Sequence, residues 1–316
     1  RRPARREPSA RPGATRDPIA PLRRVCGLLL GLLRTARPRQ WVKNVLVVAA
    51  PAAAGELLSW PAVSRLAVIF ALFTAAASAV YLINDARDAE ADRAHPEKCR
   101  RPVAAGQVPV AVAYAVGGAL ALAAPLAAVV WCTPLSAALL TAYLGMQLAY
   151  CVSLKHVLVI DLTVVTAGFV MRAMIGGLAL GIPLSRWFLI TTAFGALFMV
   201  AAKRYSEAVR MTGSAGATRA LLAEYSTGYL RFVWQLAAGV AVLGYCLWAL
   251  EGAAGTGPVP WRQLSMVAFT LAVLRYAVFA DRGTAGEPED VVLRDRPLAA
   301  IGVLWLAMYG LAVVRW

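Results

Sequence analysis

Residues 62–92 read AVSRLAVIFALFTAAASAVYLI followed without a break by NDARDAEAD. The apolar part, 62–83, carries one charge, Arg65, and is long enough to cross a hydrocarbon core of about 30 Å as an α-helix. If that helix continues past residue 83, Asn84, Asp88 and Asp92 stand at i, i+4 and i+8 and form one stripe, with Asp85 beside it. Three oxygen-bearing side chains in a row suit a hard cation that keeps some of its waters and bridges to a phosphate, which describes Mg²⁺. Carboxylates packed that closely repel one another without a cation, and at a membrane boundary they are costly without a role. The bland alternative is a solvated acidic helix end that stops at a proline-containing loop.

Eight more apolar segments lie around this one, giving nine in all: roughly 42–58, 62–83, 108–131, 135–153, 158–181, 186–202, 229–250, 261–280 and 297–315. The first is the weakest, because Pro51 and Gly55 interrupt it. With 60% hydrophobic residues and a mean hydropathy of +0.63, a water-soluble, disordered or collagen-like chain is excluded. The formal charge of +15 would suit a nucleic-acid binder, yet nucleic acid is not the expected partner, since the basic residues sit between apolar runs and not on one domain. Counted by side, about 25 Lys and Arg fall on the N-terminal side of the membrane and about four opposite, so the N-terminus is expected inside and the C-terminus outside. The expected architecture is therefore an all-α, polytopic membrane protein of nine transmembrane helices in the plasma membrane, with its chemistry facing the cytoplasm. Residues 1–21 read as a disordered basic cytoplasmic tail and not a cleavable signal. Residues 22–40 read as an interfacial helix and linker, and 41–316 as the transmembrane catalytic unit.

Five cysteines with no CxxC pair suggest neither a disulfide framework nor a zinc site. Of 32 basic residues only Lys43, Lys98, Lys155 and Lys203 are lysine, which marks those four positions for attention.

NDxxDxxxD at the end of the second apolar segment, continued by His95-Pro96-Glu97-Lys98 and Arg101-Pro102, resembles the first aspartate motif of the UbiA superfamily of intramembrane prenyltransferases. That resemblance, over about 35–315, implies a UbiA-like helical bundle in which Asn84, Asp85, Asp88 and Asp92 hold Mg²⁺ on a diphosphate. A typical member carries a second Asp-rich motif after the sixth helix. Here that place reads Lys203-Arg204-Tyr205-Ser206-Glu207, with no paired aspartates. Cations there can pair directly with phosphate oxygens, which suits a diphosphate donor together with a second phosphorylated substrate.

Arg37-Pro38-Arg39-Gln40-Trp41-Val42-Lys43-Asn44, the aspartate motif, Tyr150 with Lys155, and Lys203-Arg204 with Glu207 occur in an order similar to one subgroup of the superfamily, the decaprenyl-phosphate phosphoribosyltransferases. The resemblance implies transfer of 5-phosphoribose from phosphoribosyl diphosphate to a polyprenyl phosphate lipid, for cell-wall arabinan (arabinogalactan and lipoarabinomannan) synthesis. It makes Asp85, Asp88, Asp92 and Lys203 the catalytic candidates. The substrate-binding candidates are Lys43, Asn84, Lys98, Arg101, Tyr150, Lys155, Asp161, Arg172, Arg204 and Glu207, with Glu207 expected to orient Lys203 or Arg204. Arg172, three helical turns beyond Asp161 and roughly 16 Å deeper, is read as a site residue facing the bundle interior. The alternatives are a structural link to Asp161 or snorkelling. His95 and His156 are weak candidates for a base, Arg219 and Tyr225 weak candidates for site positions, and homo-oligomerisation stays open. Two other functions compete: ordinary prenyl transfer to an aromatic acceptor, and a lipid-phosphate transporter with no chemistry.

Overall fold

The computed structural model describes residues 20–57, 59–211, 224–251, 259–286 and 288–313. The expected tail over 1–21 lies outside them except for Ala20 and Pro21. Among the described residues every regular element is helical. An amphipathic helix α1 (Ala20–Thr35) packs Leu28 and Leu32 inward and leaves Val25, Leu29, Leu30 and Leu33 exposed. A 3-10 helix, Pro38–Val48, and the short α2 (Ala49–Ala54) follow. Then come α3 (Trp60–Arg87), α4 (Ala89–Arg93), α5 (Val110–Trp131), α6 (Pro134–Val152), α7 (Ile160–Leu180) and α8 (Arg186–Met211). The last are α9 (Thr227–Glu251), α10 (Trp261–Asp281), α11 (Pro288–Arg294) and α12 (Arg296–Val313).

Local chemistry marks the helix ends. Ser59 caps α3 by accepting from the Ala62 N–H, Thr133 caps α6 by accepting from the Ser136 N–H, and Gly181 ends α7 in the left-handed region at φ 71°. Helix α3 is buried on nearly every side, with Ile69, Phe73, Ala76, Ala79 and Leu82 almost fully covered. It packs on α5, α6 and α7. A second core forms between α8, α9 and α10 around Phe198, Trp234 and Tyr276. In lipid such packing relies on small residues that let backbones approach, and alanines supply much of both cores.

Eight described helices are long and apolar enough to cross a membrane: α3, α5, α6, α7, α8, α9, α10 and α12. The ninth apolar segment, 42–58, does not form a span-length α-helix. It falls instead on the 3-10 helix and α2, which ends at Gly55 with φ 77°. Packing explains the departure. The Val47 carbonyl passes Gly176 of α7 so closely that a Cβ there would lie 1.8 Å from its oxygen. Asn44 is held by two neighbours, donating to Thr74 Oγ1 and accepting from Arg172 Nε, each at 3.0 Å. The 3-10 coil is narrower and longer per residue than an α-helix, so the 11 residues from Pro38 and the six of α2 extend roughly 30 Å.

Candidate active site

Helix α3 delivers the aspartate motif to one end of the bundle. Asp88 ends α3 and begins α4 at φ −86°, ψ 3°, so the helix bends here. The ladder still crosses the bend, through Asp88 N–H to Asn84 O at 2.9 Å and Asp92 N–H to Asp88 O at 2.8 Å. The carboxylates of the motif divide between two faces. Asp85 and Asp92, two turns apart, are both buried and share Arg101 Nη1, at 3.3 and 2.7 Å. Asp85 also accepts from Arg37 Nη2 at 2.8 Å, and that guanidinium sits 4.7 Å from the Tyr81 ring centre. Asp88 points elsewhere: it accepts from Lys155 Nζ at 3.2 Å, and 28% of its side chain is exposed. Asn84, one turn earlier, is half-buried.

Among the described residues no three His, Cys, Asp or Glu side chains converge as a metal-binding group. Mg²⁺ does not need such a cage, since one or two protein oxygens plus waters and substrate phosphate oxygens are its usual set. Asp88 with Asn84 a turn away is a donor set of that kind, and it fits the ion. Asp85 and Asp92 are engaged by arginines instead. His95 has a structural task here. Its Nδ1 accepts from the N–H groups of Glu97 and Lys98, at 3.2 and 3.4 Å, and so shapes the turn that carries half-buried Lys98.

A second polar group gathers where α6, α7 and α8 meet. Tyr150 donates to Asp161 Oδ1 at 2.5 Å. Asp161 also accepts from Arg204 Nε at 3.2 Å and Nη2 at 3.4 Å, while Arg204 Nη1 reaches Glu207 at 3.2 Å. Asp161 and Arg204 are both buried, so each compensates a charge that would otherwise be very expensive to desolvate. Glu207 thus pairs with Arg204, and Lys203 lies half-buried on the adjoining position of α8. Lys155, in the α6–α7 loop, pairs with Asp88. Lys43 is half-buried on the 3-10 helix.

Arg172 is not brought to either group. Buried on α7, it donates to Asn44 Oδ1 at 3.0 Å, the Gly168 carbonyl at 2.8 Å and Tyr143 Oη at 2.9 Å. Its guanidinium carbon also lies 5.3 to 5.5 Å from the ring centres of Phe73, Tyr143 and Phe169. The alternative of an Asp161–Arg172 link is not seen either: the two residues lie three helical turns apart, and Asp161 pairs with Arg204. Two residues without a role in the sequence reading, Arg37 and Tyr143, do hold this architecture. Arg37 sat within the quoted motif, but nothing local to it announced a partner 48 residues away. Arg219 lies outside the described residues. Tyr225 is buried and accepts from the Val159 N–H at 2.7 Å.

Eight span-length helices with an aspartate motif at one helix end, set among arginine and lysine side chains, define a multi-pass membrane bundle with a polar site at one end. Residues 45–294 match the UbiA prenyltransferase family, and the chain belongs to that family. The decaprenyl-phosphate phosphoribosyltransferase of Mycobacterium tuberculosis is 50% identical over 290 residues, covering 90% of this chain and 95% of its own. The enzyme of that name from Corynebacterium glutamicum is 45% identical over 287 residues, covering 90% of this chain and 86% of its own. Among solved structures, a UbiA homolog from Archaeoglobus fulgidus bound to GPP and Mg²⁺ has a TM-score of 0.66 at 17% identity, covering 90% of this chain and 99% of that one. A digeranylgeranylglyceryl phosphate synthase structure has a TM-score of 0.65 at 12% identity, covering 93% of this chain and all of that one. At such identities these two share the fold.

Proposed function

We propose that this protein is a Mg²⁺-dependent phosphoribosyltransferase of the plasma membrane that moves 5-phosphoribose from 5-phosphoribosyl 1-diphosphate to polyprenyl phosphate, releasing diphosphate. The observation that carries the reading is the cation group on α8. At the position where a second carboxylate pair would hold another metal, Lys203 stands beside Arg204, and Arg204 is fixed by Asp161 and Glu207. An anion held by cations there, together with a metal-bound diphosphate at Asp88, calls for two phosphorylated substrates. The identity of 45–50% to enzymes of that activity over most of the chain supports the same reading.

Asn84 and Asp88 are the residues that would hold Mg²⁺. The chemistry the ion supplies when bound is neutralisation of charge on the departing diphosphate. Asp85 and Asp92 position Arg101 beside that group, so their catalytic role is exerted through the guanidinium. Lys98 and Arg101 draw off leaving-group charge, and Lys155, Lys203 and Arg204 orient the remaining phosphates. A phosphate oxygen of the lipid attacks ribose C1 as the bond from C1 to the diphosphate oxygen breaks. The acceptor is already anionic, so no nucleophilic side chain or general base is required, and neither histidine is assigned one. Lys43 meets the lipid headgroup. Arg172 is a structural lock in this reading and binds no substrate. The amphipathic α1 lies in the interface, and the stretched segment Pro38–Ala54 makes a ninth crossing, with the aspartate motif on the cytoplasmic side.

Purified protein in a bilayer, given labelled phosphoribosyl diphosphate, Mg²⁺ and polyprenyl phosphate, should yield a labelled lipid and one equivalent of diphosphate. Product only from a prenyl diphosphate and an aromatic acid would overturn the proposal in favour of ordinary prenyl transfer. Uptake without diphosphate release would point to a transporter.

A further inference from the structure

The loop between α6 and α7 contains a backbone conformation that its own residues do not favour. Val159 sits at φ 67°, ψ −44°, and among the described non-glycine residues only Arg37 shares a positive φ. A β-branched side chain is especially poorly suited to this region, because its Cβ substituents crowd the neighbouring carbonyl. Such a conformation persists only where surrounding contacts over-determine it.

The contacts are identifiable. The Val159 N–H donates to Tyr225 Oη at 2.7 Å, across 66 residues of sequence. On the other side, the Val159 carbonyl accepts from the Thr163 N–H at 2.9 Å and from Thr163 Oγ1 at 2.8 Å. The Thr163 bonds belong to the first turn of α7 and would follow the loop wherever it went. Tyr225 is the group that comes from elsewhere. It is buried and stacked on Tyr229, with ring centres 5.8 Å apart and planes at 12°. Its position is therefore set by the start of α9 and not by the loop. Burial also pushes its hydroxyl above the ordinary tyrosine value, so the acceptor stays a neutral phenol near neutral pH.

Val159 is the joint between two site residues. Four residues before it is Lys155, paired with Asp88, and two residues after it is Asp161, which takes Tyr150 and Arg204. We infer that Tyr225 is a positioning residue for the anion site: its hydroxyl holds Val159 in the positive-φ γ-turn that the Ile160 N–H closes on the Leu158 carbonyl at 2.7 Å, and thereby sets Lys155 against Asp88 and Asp161 against Arg204. The inference rests on the functional reading of Lys155 and Asp161 given above, and it adds a residue that touches neither substrate.

The test uses the full chain in bilayers and three variants: Tyr225→Phe, Val159→Gly, and both together. Glycine adopts φ 67° without steric penalty, so it no longer needs the tyrosine hydroxyl to stay there. Tyr225→Phe should accelerate amide exchange across 153–161 and lower kcat/KM for phosphoribosyl diphosphate about 10- to 100-fold, the scale set by displacing a reacting-site group by an ångström or so. The double variant should return to the level of Val159→Gly alone, a rescue that a purely structural tyrosine would not allow. Wild-type exchange and turnover in Tyr225→Phe, or a double variant as impaired as Tyr225→Phe, would overturn the inference. If the wild type itself failed to transfer phosphoribose, the functional reading would fall, while the exchange measurement would still decide whether Tyr225 holds the loop.

Discussion

Two arginine-containing networks in this bundle use the same side chain in opposite ways. At the motif end, Arg101 pairs with Asp85 and Asp92, and Arg37 with Asp85, while both guanidinium groups remain about 30% exposed. Deep on α7, Arg172 is 8% exposed and has no carboxylate partner, being held by an amide, a phenol, a carbonyl and three aromatic faces. The carboxylates of the first network are buried while its guanidinium groups are part-exposed, so its arginines keep N–H donors open toward solvent beyond those their carboxylates use. Dry, neutral, multidentate contacts are expensive to break because each leaves a polar group unsatisfied. The contrast separates part-exposed guanidinium groups paired with carboxylates from a buried one that ties the 3-10 segment to α7 and α6.

Neutralising the motif's third carboxylate, Asp88, which pairs with Lys155 beside the first network, should give the larger loss of activity, and breaking the second network the larger loss of stability. Asp88→Asn should lower turnover about 10²- to 10³-fold at any practical Mg²⁺ concentration, measured as label transferred to lipid. Wild-type activity in that variant would remove the metal assignment. Next in size, Arg172→Met should destabilise by about 1–3 kcal/mol for each polar group it leaves unpaired, seen as a lowered Tm, with the Mg²⁺ concentration for half-activation unchanged. A shifted half-activation would instead tie Arg172 to the site. Gly176→Ala tests the same lock from the other side. Its Cβ would meet the Val47 carbonyl at 1.8 Å, and forcing the backbones apart should cost about 1–3 kcal/mol or somewhat more. A variant with wild-type Tm would mean that the 3-10 segment is free to move.

The smallest effect belongs to a third arginine, remote from both networks. Arg275 holds Asp295 at 2.7 Å and keeps its carboxyl below the ordinary aspartate value. A depressed folded-state pKa contributes stability above the unfolded value, here 3.8, and that contribution is lost as pH falls through the folded value. Melting curves of wild type and Asp295→Asn should therefore differ slightly at neutral pH and converge below about pH 4. A constant difference across that range would exclude the ion pair as its origin.

Much of the site was legible from residue spacing, because helical periodicity and charge cost are local properties. Asn84 and Asp88 one turn apart, the cations on α8, and Glu207 three residues from Arg204 all follow from the chain's own repeat. Which carboxylate meets which cation was not legible. Asp85 and Asp92 could not be told from Asp88 until the fold brought Arg101 to the first two and Lys155 to the third. Arg172 was read as a site residue because an intramembrane charge usually is one, whereas its partners Asn44 and Tyr143 are 128 and 29 residues away in sequence. Tyr225 reaches Val159 over a comparable distance, and no local pattern encodes such a bond.

The sequence by itself determined a polytopic helical membrane protein with an aspartate motif at one helix end and lysines concentrated in the phosphate-side segments. Segment length, hydropathy and i, i+4 spacing are enough for that, since a bilayer forces each crossing to satisfy its own backbone. Only the tertiary structure decided that residues 42–57 do not form a long α-helix, that Arg172 bonds Asn44, the Gly168 carbonyl and Tyr143, and that Asp161 pairs with Arg204. These outcomes depend on how closely two backbones approach and on which buried polar groups come to face one another, and both are set by side chains far apart in the chain.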